Sequence, residues 1–144
     1  MGDMIRQVVL DTDVLIAALR SPTGASAELL RRVRQGPLTL LASVPLFLEY
    51  EAKCLEVEHR IAAGLSEDEV RRFLDTLAAL VRPVTVHYLW RPQLRDAADE
   101  MVLEAAVNGQ ADALVSFNHR DYGPAPARFG VALLLPAQAL RRLE

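Results

Sequence analysis

The stretch VVLDTDVLI, residues 8–16, combines a short apolar run with two closely spaced carboxylates. Its first part is rich in β-branched residues, which predicts a buried strand that ends at Asp11. In an open parallel sheet, ligands bind in the crevice at the carboxyl ends of the strands. Asp11 is therefore expected where a metal ion or a substrate would lie.

Three more acidic or amide groups follow along the chain, each near the predicted end of an element: Glu49, Asp99 and the segment Asn118–Asp121. Glu49 falls about two turns into a predicted helix, and Asp99 about one turn into another. Carboxylate and amide oxygens are suitable ligands for hard divalent cations. Because side chains at one edge of a parallel sheet converge, the pattern predicts a carboxylate cluster that holds a divalent cation.

Apolar periodicity and turn residues predict strands and helices in alternation. The predicted strands are Gln7–Leu10, Leu38–Ala42, Val84–Leu89, Ala113–Ser116 and Val131–Leu135. Helices are predicted at Ala25–Gln35, around 44–59 after the cap residue Ser43, around 66–81 after the capping box of Ser66 and Glu69, from the N-cap Asp96 to Val107, and from Pro136. This alternation favours a layered α/β fold with a mainly parallel central sheet of five strands.

The composition is that of a globular protein. Of the 144 residues, 51% are hydrophobic, and no apolar run is long enough to cross a membrane. Since the N-terminus has no secretion signal, we expect a single domain of residues 1–144 in the cytoplasm. The one cysteine, Cys54, has no His or Asn pattern beside it, so a packed thiol is favoured over a nucleophile.

The net charge of −3 excludes a globally basic nucleic-acid binder. All cations except Lys53 are nevertheless arginines, and several are clustered, at 31–34, 71–72, 91–95 and 141–142. Guanidinium groups bind phosphates bidentately. Solvated helix faces that pair with nearby acids explain the same clusters, so both interpretations stay open.

Other types of site find no support in the sequence. His59, His87 and His119 have neither the spacing nor the cysteine partners of a zinc site. The glycine motifs of nucleotide-binding loops do not occur in this chain. A site built from carboxylates remains the main hypothesis.

Four motifs, in this order along the chain, resemble those of PIN domains. They are residues 8–15, Ser43 with Leu46–Glu51, Arg95–Glu100, and Ala111–Tyr122. The similarity is greatest to VapC-like ribonucleases, the toxin components of toxin–antitoxin systems. Each motif alone is weak, whereas four in the right order over about 110 residues are specific. The resemblance implies a three-layer α/β/α sandwich.

The resemblance also implies an endoribonuclease that depends on Mg²⁺ or Mn²⁺, with an antitoxin partner and a homodimeric state. Asp11, Glu49 and Asp99 match the three most regular acids of the family, as catalytic residues and metal ligands. Asp121 is implied as a further metal ligand. Substrate-binding or outer-sphere roles are implied for four more residues: Thr12, Asp13, Asn118 and His119.

Two positions depart from the family pattern. Asn118 stands where many members have Asp, so it offers only a neutral oxygen, and Asp121 supplies the charge instead. Asp13 stands where Asn or Ser is usual, and it is either a turn residue that bonds local backbone or an additional acid near the metal. His119 is either a surface-loop residue or a substrate contact.

Two other functions compete with this hypothesis. Residues 11–14, DTDV, also fit the first motif of haloacid-dehalogenase-type phosphatases, but the only lysine, Lys53, precedes Ser116, so the motif order is wrong. The second alternative is a PIN-like fold that keeps its acids but only binds RNA or protein, which Asn118 favours. Two assays distinguish the three functions. Cleavage of an RNA oligonucleotide indicates the nuclease, hydrolysis of p-nitrophenyl phosphate indicates the phosphatase, and neither reaction indicates the binding module.

Overall fold

The computed structural model describes residues 4–87 and 93–143. The strands are β1 (Gln7–Leu10), β2 (Thr39–Ala42), β3 (Arg82–Pro83), β4 (Ala113–Val115) and β5 (Ala132–Leu134). The helices are α1 (Thr12–Arg20), α2 (Ala25–Gln35), α3 (Val44–Cys54), α4 (Val57–Ala63), α5 (Glu67–Leu80), α6 (Ala97–Asn108), α7 (His119–Tyr122), α8 (Ala125–Arg128) and α9 (Pro136–Leu140). In the part of the chain described, no helix has the length and apolar character that a membrane span requires.

The five strands form a parallel sheet in the order β3-β2-β1-β4-β5. In its centre, Val8 of β1 pairs with Leu40 on one side and with Ala113 on the other. The last three residues of β1 and all of β4 are buried, so helices cover both faces of the sheet. The predicted three-layer α/β/α sandwich with a parallel sheet of five strands is confirmed.

The direction in which strands are added to the sheet reverses next to β1. From β1 the chain builds β2 and β3 on one side, and later β4 and β5 on the other. Such a reversal opens a crevice at the carboxyl ends of the two strands beside it, here β1 and β4. The Asp11 N–H donates to the Val115 carbonyl at 2.9 Å, which places Asp11 at this crevice.

Side-chain caps define where the helices around the crevice begin. Ser43 Oγ and Asp96 Oδ1 each accept a hydrogen bond from a backbone N–H in the first turn of α3 and α6, at 3.3 Å and 2.7 Å. The capping box predicted for Ser66 and Glu69 is present at the start of α5. Each cap satisfies an N–H that the helix itself cannot pair. These three predictions are confirmed.

The strand predicted at Val84–Leu89 is wrong. Residues 84–87 form no strand, and 88–89 lie outside the described residues. The third strand is instead Arg82–Pro83, which pairs with the end of β2 at Leu41 and Ala42. Proline is tolerated here because β3 is an edge strand. The Val84 N–H still donates to the Ala42 carbonyl at 3.0 Å, but β2 ends at Ala42, so it offers no residue opposite Val86.

The helix predicted around 44–59 is in fact two helices. Helix α3 ends at Cys54, and α4 begins at Val57 after Glu56, whose ψ of 136° is not helical. No glycine or proline marks this break in the sequence. Apolar periodicity continues across it, so a pattern argument joins the two helices.

Candidate active site

Asp11 is held by hydrogen bonds on both carboxylate oxygens. Its Oδ1 accepts from the Thr12 N–H at 2.8 Å, which caps α1. Its Oδ2 accepts from the hydroxyls of Ser116 at 2.7 Å and Tyr122 at 3.0 Å. Asp11 is only 8% exposed. The structure therefore fixes the orientation of this carboxylate at the carboxyl end of β1.

Ser116 and Tyr122 are site residues that were not predicted from the sequence. Both are buried, Ser116 directly after β4 and Tyr122 at the end of α7. Ser116 Oγ also accepts from the Asn118 N–H at 2.8 Å, so one hydroxyl ties the loop after β4 to Asp11. The place of Ser116 directly after a buried strand is the signal that could have identified it. Tyr122 ends the motif Ala111–Tyr122, but nothing in that motif predicted a contact between its hydroxyl and Asp11.

Asp13 links α1 to the loop after β4. Its Oδ2 accepts from the Phe117 N–H at 3.1 Å and from the Ser116 hydroxyl at 3.4 Å. A hydrogen bond from the neighbouring Val14 backbone also lowers the pKa of Asp13, so both predicted roles of this residue stay predictions. Its Oδ1 is buried and has no hydrogen-bond partner among residues 4–87 and 93–143. Burial raises the pKa of Asp13 to about 6, with a contribution from repulsion by Asp11.

Asp99 lies in the first turn of α6 and is 8% exposed. Burial raises the pKa of Asp99 to about 6, and repulsion from Asp11, Asp96 and Asp121 contributes to this rise. A hydrogen bond with Tyr122 acts in the opposite direction. Charges affect a pKa in this way only at short range. The Tyr122 hydroxyl, which donates to Asp11 Oδ2 at 3.0 Å, thus contacts both Asp11 and Asp99.

Two cavities contain the predicted acids. The α1 cavity, of about 630 Å³, is lined by Asp11, Thr12, Asp13 and Glu49, with α1 and α3 as its walls. The α6 cavity, of about 800 Å³, is lined by Asp96, Asp99, Asp121 and Tyr122. The predicted acids are thus divided between two cavities, and the interaction of Asp11 with Asp99 connects them.

The segment after β4 begins a short helix. Asn118 precedes α7, and its Nδ2 donates to Asp121 Oδ2 at 2.9 Å. His119 is the first residue of α7, so its placement in a surface loop is wrong. Its Nε2 is buried and has no hydrogen-bond partner within the described ranges. His119 lines neither the α1 cavity nor the α6 cavity.

The chemistry of these side chains fits a hard divalent cation. They offer oxygen donors, and a cation would relieve the repulsion that Asp99 experiences. The unpartnered Oδ1 of Asp13 is one more oxygen beside Asp11. Within 4–87 and 93–143, however, no three His, Cys, Asp or Glu side chains are arranged to hold a metal ion as they stand. The predicted ligand set of Asp11, Glu49, Asp99 and Asp121 stays a prediction.

The chain also matches a known protein family in sequence. The sequence profile of the PIN domain matches residues 7–120. The chain belongs to the PIN-domain family. Asp11, Glu49 and Asp99 of this PIN domain lie inside the matched range, and Asp121 lies one residue beyond it.

A solved structure with a similar fold is the crystal structure of VapBC2 from Rickettsia felis bound to a DNA fragment from their promoter. The TM-score is 0.58 at 12% sequence identity, and the match covers 88% of this PIN domain and 96% of that chain. At so low an identity the likeness concerns the fold alone. No curated protein sequence matches the chain significantly.

Proposed function

We propose that this PIN domain is a metal-dependent endoribonuclease that hydrolyses RNA phosphodiester bonds, with Mg²⁺ or Mn²⁺ as its cofactor. The observation that carries the proposal is that Asp11 and Asp99, two buried carboxylates from different elements, share the Tyr122 side chain as a hydrogen-bond partner. Burying like charges together is costly unless a cation binds between them. The family supports the reaction class, because PIN domains are nucleases.

Each side chain has a distinct part in this proposal. Asp11, Glu49 and Asp99 bind the cation, with Asp121 as a further ligand. The bound ion would orient a water molecule for attack on phosphorus and neutralise charge on the phosphate. Asp11 is ready for this role because hydrogen bonds already hold both of its oxygens. The remaining predicted residues contact the substrate or support the ligands: Thr12, Asp13, Asn118 and His119.

A binding module without catalysis is the second candidate. Asn118 favours it, because the amide provides no charge and donates to Asp121, the acid that would compensate. The lack of a ready-made three-ligand group within the described residues favours it too. Such a protein would bind RNA or a partner protein through the same fold and leave the RNA intact.

Cleavage assays distinguish these candidates. We expect the wild type to cut a single-stranded RNA oligonucleotide with Mn²⁺ and not to hydrolyse p-nitrophenyl phosphate. Asp11→Asn should abolish cleavage without unfolding the protein, because Asn also caps helices well. The matched control is Asp75→Asn, which removes an exposed carboxylate of α5 and should cut like the wild type. A folded wild type that binds RNA but never cuts it establishes the binding module.

We further propose that the protein forms a homodimer through α3 and α4. Four apolar side chains of these helices are at least 57% exposed: Val44, Leu48, Val57 and Ile61. Apolar patches of this kind mark interaction surfaces. Light scattering after size exclusion should give twice the chain mass for the wild type and the single chain mass for Ile61→Arg. A single chain mass for the wild type at high concentration refutes the dimer.

An antitoxin is the second partner that we propose, which makes this nuclease the toxin of a pair. A cavity of about 520 Å³ between α1, α2 and α5 has apolar walls, including Leu30 and Phe73, and arginines at its rim. It suits an apolar segment that carries acidic residues. Co-expression with the product of an adjacent small gene should yield a complex that lacks ribonuclease activity. If the complex cuts RNA as fast as the free chain, the antitoxin proposal fails.

A further inference from the structure

Arginines flank the candidate active site on two sides. The α6 cavity is lined by Arg95, Arg120 and Arg128, and the α1 cavity by Arg20. All four are exposed. None of them forms a side-chain hydrogen bond or an ion pair with another residue of the described ranges. Their charges are therefore available to a ligand.

Some arginines on other helix faces are paired with acids, whereas Arg34 and Arg141 have no side-chain partner within the described ranges. Arg31 and Arg32 both pair with Glu28 on α2, and Arg71 pairs with Glu67 on α5. Solvated salt bridges account for these arginines. They do not account for the four cavity arginines, which have no such partner in residues 4–87 and 93–143, although Asp96, Asp99 and Asp121 line the α6 cavity with three of them.

The distribution of charge indicates what kind of ligand fits. Unpaired guanidinium groups attract phosphates and bind them through paired N–H donors. Each cavity has a volume typical of small-ligand sites, so each can take about one nucleotide. A ligand that reaches both cavities must carry several phosphates in a row. A duplex is too wide to enter such cavities, whereas a single strand is not.

We propose that single-stranded RNA lies across the carboxylates, from the α6 cavity to the α1 cavity. Arg120 and Arg128 bind phosphates on one side of the cleaved bond, and Arg20 binds a phosphate on the other. These arginines are positioning residues, because they contact the strand away from the reacting phosphorus. The inference rests on the proposed function and adds the path of the substrate to it.

RNA binding without divalent metal tests this path separately from cleavage. An RNA of about ten nucleotides is titrated in EDTA at several salt concentrations and followed by fluorescence anisotropy. Arg20→Gln and Arg128→Gln should each weaken binding about 5-fold and reduce the salt slope by about 0.7, and the double variant should lose about 25-fold. Arg141→Gln removes an exposed arginine outside both cavities and should bind like the wild type. Thermal denaturation checks that each variant is folded.

The length of the RNA provides an internal control. A dinucleotide has one phosphodiester and cannot contact both cavities at once. The double variant should therefore bind a dinucleotide as well as whichever of Arg20→Gln and Arg128→Gln binds it more weakly. Unchanged affinity and salt slope in the double variant, or an equal loss in Arg141→Gln, would overturn the proposed path. So would a wild type that binds a polyglutamate peptide through these arginines but does not bind RNA.

The outcomes for path and function can be told apart. If the wild type cuts RNA with Mn²⁺ and the double variant binds and cuts equally well, the path is wrong and the function stands. If the arginine variants lose RNA binding but the wild type never cuts, the path stands and the nuclease proposal fails.

Discussion

Asp99→Asn should make the metal-free protein more stable at alkaline pH. In the folded protein the pKa of Asp99 is raised from 3.8 to about 6, mainly by burial. The folded state therefore holds a proton more tightly than the unfolded state, so stability falls as the pH rises from about 4 to about 6. The substitution removes the charge and with it this loss.

The size of the effect follows from the same numbers. A carboxyl whose pKa rises from 3.8 to about 6 is penalised by about 3 kcal/mol when ionised. Because Asp99 lines a wide cavity beside exposed residues, screening by solvent reduces this to about 1 kcal/mol. For a chain of this length that is a rise of about 3 °C in Tm near pH 8.

Thermal denaturation in EDTA near pH 8 and near pH 4 measures the effect. Asp99→Asn should raise the Tm near pH 8 and leave it unchanged near pH 4. The control variant Asp75→Asn should leave the Tm unchanged at both pH values. On the proposed function, adding Mn²⁺ should reverse the order, because the wild type would bind the ion through Asp99 and the variant would lack that ligand. An equal change in Tm at both pH values, or a variant that is less stable near pH 8, would refute the reasoning.

Two further substitutions and one labelling experiment test other parts of the structure. Tyr122→Phe removes a hydroxyl that donates to the Asp11 carboxylate, so it should lower the free energy of unfolding by about 2 kcal/mol, measured in urea, and slow any RNA cleavage. Ser66→Ala breaks the capping box of α5 and should cost about 1 kcal/mol in the same assay, with cleavage unchanged. Burial raises the pKa of the Cys54 thiol to about 12, so Ellman's reagent near pH 8 should label it only after urea unfolds the chain. Rapid labelling of the native protein would contradict that burial.

The fold was largely predictable because its strongest signals are local. β1 and α2 have the predicted bounds, since a β-branched run and a Gly-Pro stop leave little choice. β3 was not predictable, because a two-residue edge strand has too few residues to show a period. No bounds were predicted for α1. This helix begins at Thr12, only two residues after β1 ends at Leu10, and its first turn contains Asp13.

The candidate site was predictable only in part. Asp11 comes directly after a strand, and Asp99 lies in the first turn of a helix. The sequence pattern of strands and helices can therefore identify both positions. The hydroxyl of Tyr122 reaches Asp11 through the packing of α7, and no local pattern encodes that contact. The division of the acids between two cavities likewise depends on the placement of whole helices.

The hydrogen bonds to Asp11 have a consequence for translation. Ser116 and Tyr122 lie 105 and 111 residues after Asp11, and β4 must be made before it can pair with β1. The chain up to Tyr122 must therefore be synthesised before the carboxylate acquires both partners. Until Tyr122 has been synthesised, the Asp11 carboxylate of the nascent PIN domain therefore lacks its full set of hydrogen bonds.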